Sequence, residues 1–110
     1  MDESNFLVIV NATLQSVFDQ LEDNLADHLE ADLESGVLTV TFQEEGEYVI
    51  NRHLPNRQIW MSSPISGGIH FNYDEKTGNW VSTKDSTVIF QDVFASELRQ
   101  ITGVPFYFDL

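Results

Sequence analysis

The chain has 110 residues, of which 42% are hydrophobic, including eight Phe, two Trp and three Tyr, so it holds enough apolar side chain for one packed core and global disorder is excluded. It has no cysteine, which removes disulfides, thiolate zinc sites, cysteine-ligated clusters and a cysteine nucleophile together. Eighteen acids against five bases give a net charge of −13, and the imbalance is regional: residues 1–51 carry twelve acids and no Lys or Arg, whereas residues 52–110 carry six acids and five bases.

An acidic half of this kind repels phosphate backbones and anionic lipid, so neither nucleic acid nor a membrane surface is an expected partner. It attracts cations and basic protein surfaces. No apolar run approaches the roughly 18–20 residues of a bilayer-spanning helix. The start Met1-Asp2-Glu3-Ser4-Asn5 carries no positive charge and predicts neither a signal nor a transit peptide.

The first element, from about Ser4 to Ala26, is predicted as a helix on the stripe Leu7, Val10, Leu14, Val17, Leu21 and Leu25, widened by Phe18. Ser4 is the expected N-cap, with Asp2 and Glu3 suited to the positive end of the dipole. Asp19, Glu22, Asp23 and Asp27 crowd its other end, where they oppose the dipole and one another.

From His28 the period changes to two. His28, Glu30, Asp32 and Glu34 alternate with Leu29, Ala31 and Leu33, as in a half-buried strand with an acidic outer row. Ser35-Gly36 turns into the β-prone run Val37–Phe42, and Gln43–Gly46 turns into Glu47–His53. Pro55-Asn56 precedes Gln58–Ser63. Pro64 and Gly67-Gly68 then punctuate before Ile69–Tyr73, and Asp74–Gly78 turns into Asn79–Lys84. Six strands joined by short turns predict an antiparallel meander. A second helix is expected over Val88–Thr102, with Phe90, Val93, Phe94, Leu98 and Ile101 inward and Gly103 and Pro105 stopping it. The tail, apolar at 104, 106, 108 and 110, is expected to pack along the helices. The fold class is therefore α+β, a single two-layer α–β6–α domain over residues 1–110 with one sheet face open.

Alternation turns Leu38, Val40, Phe42, Tyr48, Ile50, Ile59 and Met61 inward. Thr39, Thr41, Val49, Asn51, Gln58, Trp60 and Ser62 are then left on the open face, where an exposed Trp beside Gln and Asn has the composition of a protein-docking hot spot. A register shift of one residue would instead bury Trp60.

Tyr48-Val49-Ile50-Asn51-Arg52 followed by Pro55-Asn56-Arg57-Gln58-Ile59-Trp60-Met61-Ser62-Ser63-Pro64-Ile65-Ser66-Gly67 closely resembles the frataxin family signature. Gly36–Val40, Asn79-Trp80-Val81 and Glu97-Leu98 fall where frataxins have them, so the resemblance spans the chain. The short start is similar to the bacterial, CyaY-type branch and implies a cytoplasmic protein; the mitochondrial matrix is the alternative for a mature form without its transit peptide. The resemblance implies an iron-binding regulator or iron-delivery protein of iron–sulfur cluster assembly. Such a protein holds iron (Fe2+ or Fe3+) weakly on an acidic ridge and contacts the cysteine desulfurase and its scaffold protein. Carried over by position, the ridge is Asp19, Glu22, Asp23, Asp27, Glu30 and Asp32, and the sheet-face contacts are Asn51, Gln58 and Trp60 with His70. His70 stands where eukaryotic frataxins usually have Arg, and Ile89 where a Ser or Thr usually caps the second helix.

Carboxylates are hard, unselective oxygen ligands, so the ridge suits loosely held divalent ions. His28, His53 and His70 form no ligand pair, although His28 borders the ridge. Ser62-Ser63 and Gly67-Gly68 lack the context of a nucleophile elbow or a P-loop, and no catalytic residue is expected. The alternative function is iron handling proper, as ferroxidase or iron store; a ferroxidase usually needs a bridged carboxylate/His pair, and the chain has no Glu-x-x-His motif. A monomer is expected, with iron-driven oligomers as the alternative.

Overall fold

The computed structural model describes every residue from Met1 to Leu110. Helix α1 spans Glu3–Leu25 and is followed by β1 (Glu30–Glu34), β2 (Val37–Thr41), β3 (Glu47–His53), β4 (Gln58–Ser63), β5 (Gly67–Asp74), β6 (Asn79–Ser82) and α2 (Phe90–Thr102). The strands form one antiparallel sheet in the order β1-β2-β3-β4-β5-β6, with both helices on one face. This is the expected α–β6–α sandwich.

Helix α1 starts earlier than Ser4 predicts. Asp2 is the N-cap, its Oδ1 accepting the Asn5 N–H at 2.8 Å. Phe6, four residues before Val10, stands on the core stripe with Val10, Leu14, Val17, Leu21 and Leu25, all essentially solvent-free, and Leu7 is half-buried at its margin. Phe6 packs edge-on against Trp80 at 6.0 Å between ring centroids. The hairpin from β1 to β2 turns on Ser35 and Gly36, whose φ values of 52° and 76° suit a two-residue turn that follows the strand twist. A Cβ on Gly36 would lie 2.3 Å from the Arg52 side chain, so glycine also makes room for the Arg52 guanidinium, which donates to Asn11 Oδ1 at 2.6 Å.

The sheet's inner face carries Leu38, Val40, Tyr48, Ile50, Ile59, Met61 and Phe71, all buried, and Phe42 joins them just past the end of β2. Helix α2 begins after the expected Val88. Val88 and Ile89 stay extended, the Val88 carbonyl accepting the Ser82 N–H and Ile89 bridging to Val81. The aliphatic Ile89 is thus the N-cap without a side-chain cap bond. Asp85 organises the approach instead, accepting from the Thr87 N–H at 3.0 Å and hydroxyl at 2.6 Å. Val93 and Ile101 are half-buried, and Ala95 and Glu97 take up buried face beside Phe90, Phe94 and Leu98. Glu97, 6% exposed, accepts from the Tyr48 hydroxyl at 2.7 Å and from Ser63 Oγ at 2.5 Å, tying α2 to β3 and β4. The tail packs across both helices: Gln20 makes two hydrogen bonds to the Asp109 backbone, Arg99 Nη1 donates to the Phe106 carbonyl, and Phe108 lies 5.4 Å from Phe94.

Candidate functional site

The ridge residues come from three consecutive pieces of chain. Asp19, Glu22 and Asp23 are exposed on α1, Asp27 lies in the turn after it, and Glu30 and Asp32 stand on the outward row of β1, the edge strand. The last turn of α1 holds no base, so its unpaired carbonyls and the carboxylates reinforce one negative potential. Glu22, Glu30 and Asp32 share an open cleft of about 490 Å³ floored by Leu29, Ala31 and Thr39. Next to it, Asp27, His28 and Glu30 line a second cleft of about 660 Å³ with Glu44 and Glu45 of the β2–β3 turn. Asp19 and Asp23 border neither cleft.

Glu44 and Glu45 were legible only as turn residues; their acidity in the run Gln43–Gly46 was the available signal. No three carboxylate or imidazole groups converge closely enough to chelate an ion. The carboxylates stand singly or in pairs along the two open clefts and form no closed cage.

The open face carries the other candidates. The ladder sets Asn51 opposite Trp60 and Trp60 opposite His70, with His53, Gln58 and Asn72 in the next row. Trp60 is therefore outward, half-buried among neighbours, and Trp80, 2% exposed, is core. Trp60 Nε1 donates to Gln58 Oε1 at 2.8 Å, and Gln58 Nε2 donates to Asn72 Oδ1 at 2.9 Å. Four of the sequence-named residues thus meet in one patch: Asn51, Gln58, Trp60 and His70. His53 and Asn72 are additions. The signal for His53 was its place two residues after Asn51 on the same strand face.

Toward β1 the same face passes through Val49 and Thr39 to Glu30, Asp32 and Glu34, so the neutral patch grades into the acidic edge without a break. On the inner face, at the start of β3, burial and the neighbouring Glu97 carboxylate push the Tyr48 hydroxyl well above the ordinary tyrosine range.

Two helices covering one side of a six-stranded meander, a bare opposite side and an acidic edge strand define a two-layer sandwich of the frataxin-like class. The frataxin-like domain model matches residues 1–104. The iron-sulfur cluster assembly protein CyaY of Pseudomonas fluorescens is 35% identical over 111 residues, covering 99% of this chain and 96% of the relative. The mitochondrial frataxin of Dictyostelium discoideum is 39% identical over 94 residues, 82% of this chain and 49% of the relative, so the chain spans about half the length of that protein. The frataxin of Psychromonas ingrahamii superposes with a TM-score of 0.82 over 99% of this chain and 97% of the other, at 22% identity, a likeness of fold. Trimeric yeast frataxin complexed with ferrous iron superposes at 0.78 with 30% identity, over 87% of each chain. The chain belongs to the frataxin family.

Proposed function

We propose that this protein serves iron–sulfur cluster assembly as an iron-binding regulator. It holds iron on the ridge Asp19, Glu22, Asp23, Asp27, Glu30 and Asp32 and docks on the cysteine desulfurase–scaffold complex through Asn51, Gln58, Trp60 and His70. The observation that carries the reading is the continuity of the two surfaces: the outer row of β1 belongs both to the acidic ridge and to the sheet face that presents Trp60. A partner with a basic flank engages both at once, its charge steering the encounter and the aromatic patch setting residence time. Relatives named for iron–sulfur cluster assembly support the setting, and a structural relative complexed with ferrous iron supports the cargo.

Iron is cargo here. One or two carboxylates hold each ion while water fills the remaining positions, so ions arrive and leave without rearrangement of the fold. The protein acts by binding and carries out no reaction of its own. Equimolar protein is expected to change the rate of sulfide production by the purified desulfurase–scaffold complex, while catalytic amounts leave Fe(II) oxidation in air at the buffer rate. An unchanged sulfide rate together with multiple-turnover Fe(II) oxidation would overturn this reading in favour of a ferroxidase.

A further inference from the structure

Trp60 stands between two imidazoles. The His53 ring lies over one indole face at 3.6 Å and 8° from parallel, and the His70 ring over the other at 4.0 Å and 3°. His70 is the direct ladder partner of Trp60, whereas His53, paired with Gln58, is its diagonal neighbour on β3. With Nε1 bonded to Gln58, the indole is fixed on both faces and at its nitrogen, and its carbon edge is what it offers outward. His53 Nδ1 is buried without a hydrogen-bond partner, so that nitrogen contributes nothing to its own placement, and a flat face against the indole is what the ring supplies.

We infer that His53 is a positioning residue of the docking face, holding Trp60 edge-outward. The inference rests on the docking reading above. An aromatic ring is negative on its faces and positive at its edge. With both faces occupied, a partner guanidinium cannot lie flat on the indole, and the edge is what the side chain presents. Fixing the side chain beforehand also removes the ordering cost that a free tryptophan would meet on docking.

The test compares wild type, His53→Ala, His53→Phe and Trp60→Ala in binding to the purified desulfurase–scaffold complex. In parallel, 15N NMR measures hydrogen exchange of the Trp60 indole N–H, with that of Trp80 as internal reference. His53→Ala is expected to weaken binding about three- to tenfold and to speed exchange at Trp60 but not at Trp80. His53→Phe keeps a flat ring and drops the unpaired nitrogen, so it should restore both. Wild-type binding by Trp60→Ala would defeat the docking reading, and this inference with it. Loss of binding in Trp60→Ala with wild-type affinity in His53→Ala would overturn the positioning role alone. Weaker binding in His53→Ala without faster indole exchange, or no rescue by His53→Phe, would make His53 a direct contact and would also overturn it.

Discussion

Trp80 lies under Phe6 with its Nε1 3.3 Å from Thr13 Oγ1, whereas Trp60 on the opposite side of the sheet keeps an open edge between two histidines. Truncation therefore separates packing from docking. Trp80→Ala should cost about 3–5 kcal/mol of stability by opening a core cavity. Trp60→Ala should cost about 1–2 kcal/mol, the loss of two stacked contacts at a half-buried site, yet weaken partner binding by about 2 kcal/mol or more. Chemical denaturation of both variants beside a binding assay checks this; unfolding of the Trp60 variant with a stable Trp80 variant would contradict the register. Tyr48 adds a pH dependence of known sign. Burial first, then the Glu97 carboxylate, raise its hydroxyl pKa in the folded state. Its contribution is full below the ordinary tyrosine value of about 10 and is lost as pH rises beyond it, because the unfolded chain releases that proton more readily. Stability should thus fall on the alkaline side, and Tyr48→Phe should show a shallower decline; an equally steep decline in the variant would place the cause elsewhere.

At the scale of elements, α1 gives up stability for its charge. Asp19 and Asp23 are spaced i,i+4, and the last turn has no base to answer the carbonyl end. Glu22→Lys with Asp23→Lys should raise stability by about 0.5–1.5 kcal/mol, measured by thermal unfolding, and weaken partner binding; a lower melting temperature would show that these carboxylates are paired in the fold. The strands were legible because the chain alternates cleanly and marks its hairpins with Ser35-Gly36, Gly46 and Pro55-Asn56. Helix ends were less so. Asp2 and Ser4 are both good caps, and the local sequence does not choose between them; in the fold it is Asp2 whose side chain accepts the Asn5 N–H. The displaced start of α2 goes with Ile89 bridging back to Val81 across the β6–α2 connection, a pairing that helix propensity at Val88 and Ile89 does not encode. On the candidate site, Asn51, Gln58, Trp60 and His70 followed from the period of two and the family likeness. His53 was missed as a partner of Trp60 because a diagonal stack depends on register. Glu44 and Glu45 were missed as neighbours of Glu30 because the hairpin from β2 to β3 carries them there.

Across the whole molecule, the acids of the first half and the bases of the second produce a polarised body, with the charge concentrated along α1 and β1. Divalent ions should act there first. In an NMR titration with Fe(II), backbone signals from Asp19 to Asp32, together with Glu44 and Glu45, are expected to shift or broaden before all others; early changes around Asp74 and Glu75 would move the metal site to the other end of the sheet. Partner association should be fast at low salt and slow markedly as ionic strength rises, since the ridge is exposed and readily screened.

The central claim is that two joined surfaces share the docking, and titration of the purified desulfurase–scaffold complex at low and high salt tests it most directly. Wild type should lose affinity with salt. Reversal of Glu22 and Asp23 to Lys should bind weakly with little salt dependence, and Trp60→Ala should be weakened by a similar factor at both salt concentrations. Wild-type affinity in both variants, or a wild-type affinity indifferent to salt, would contradict the claim.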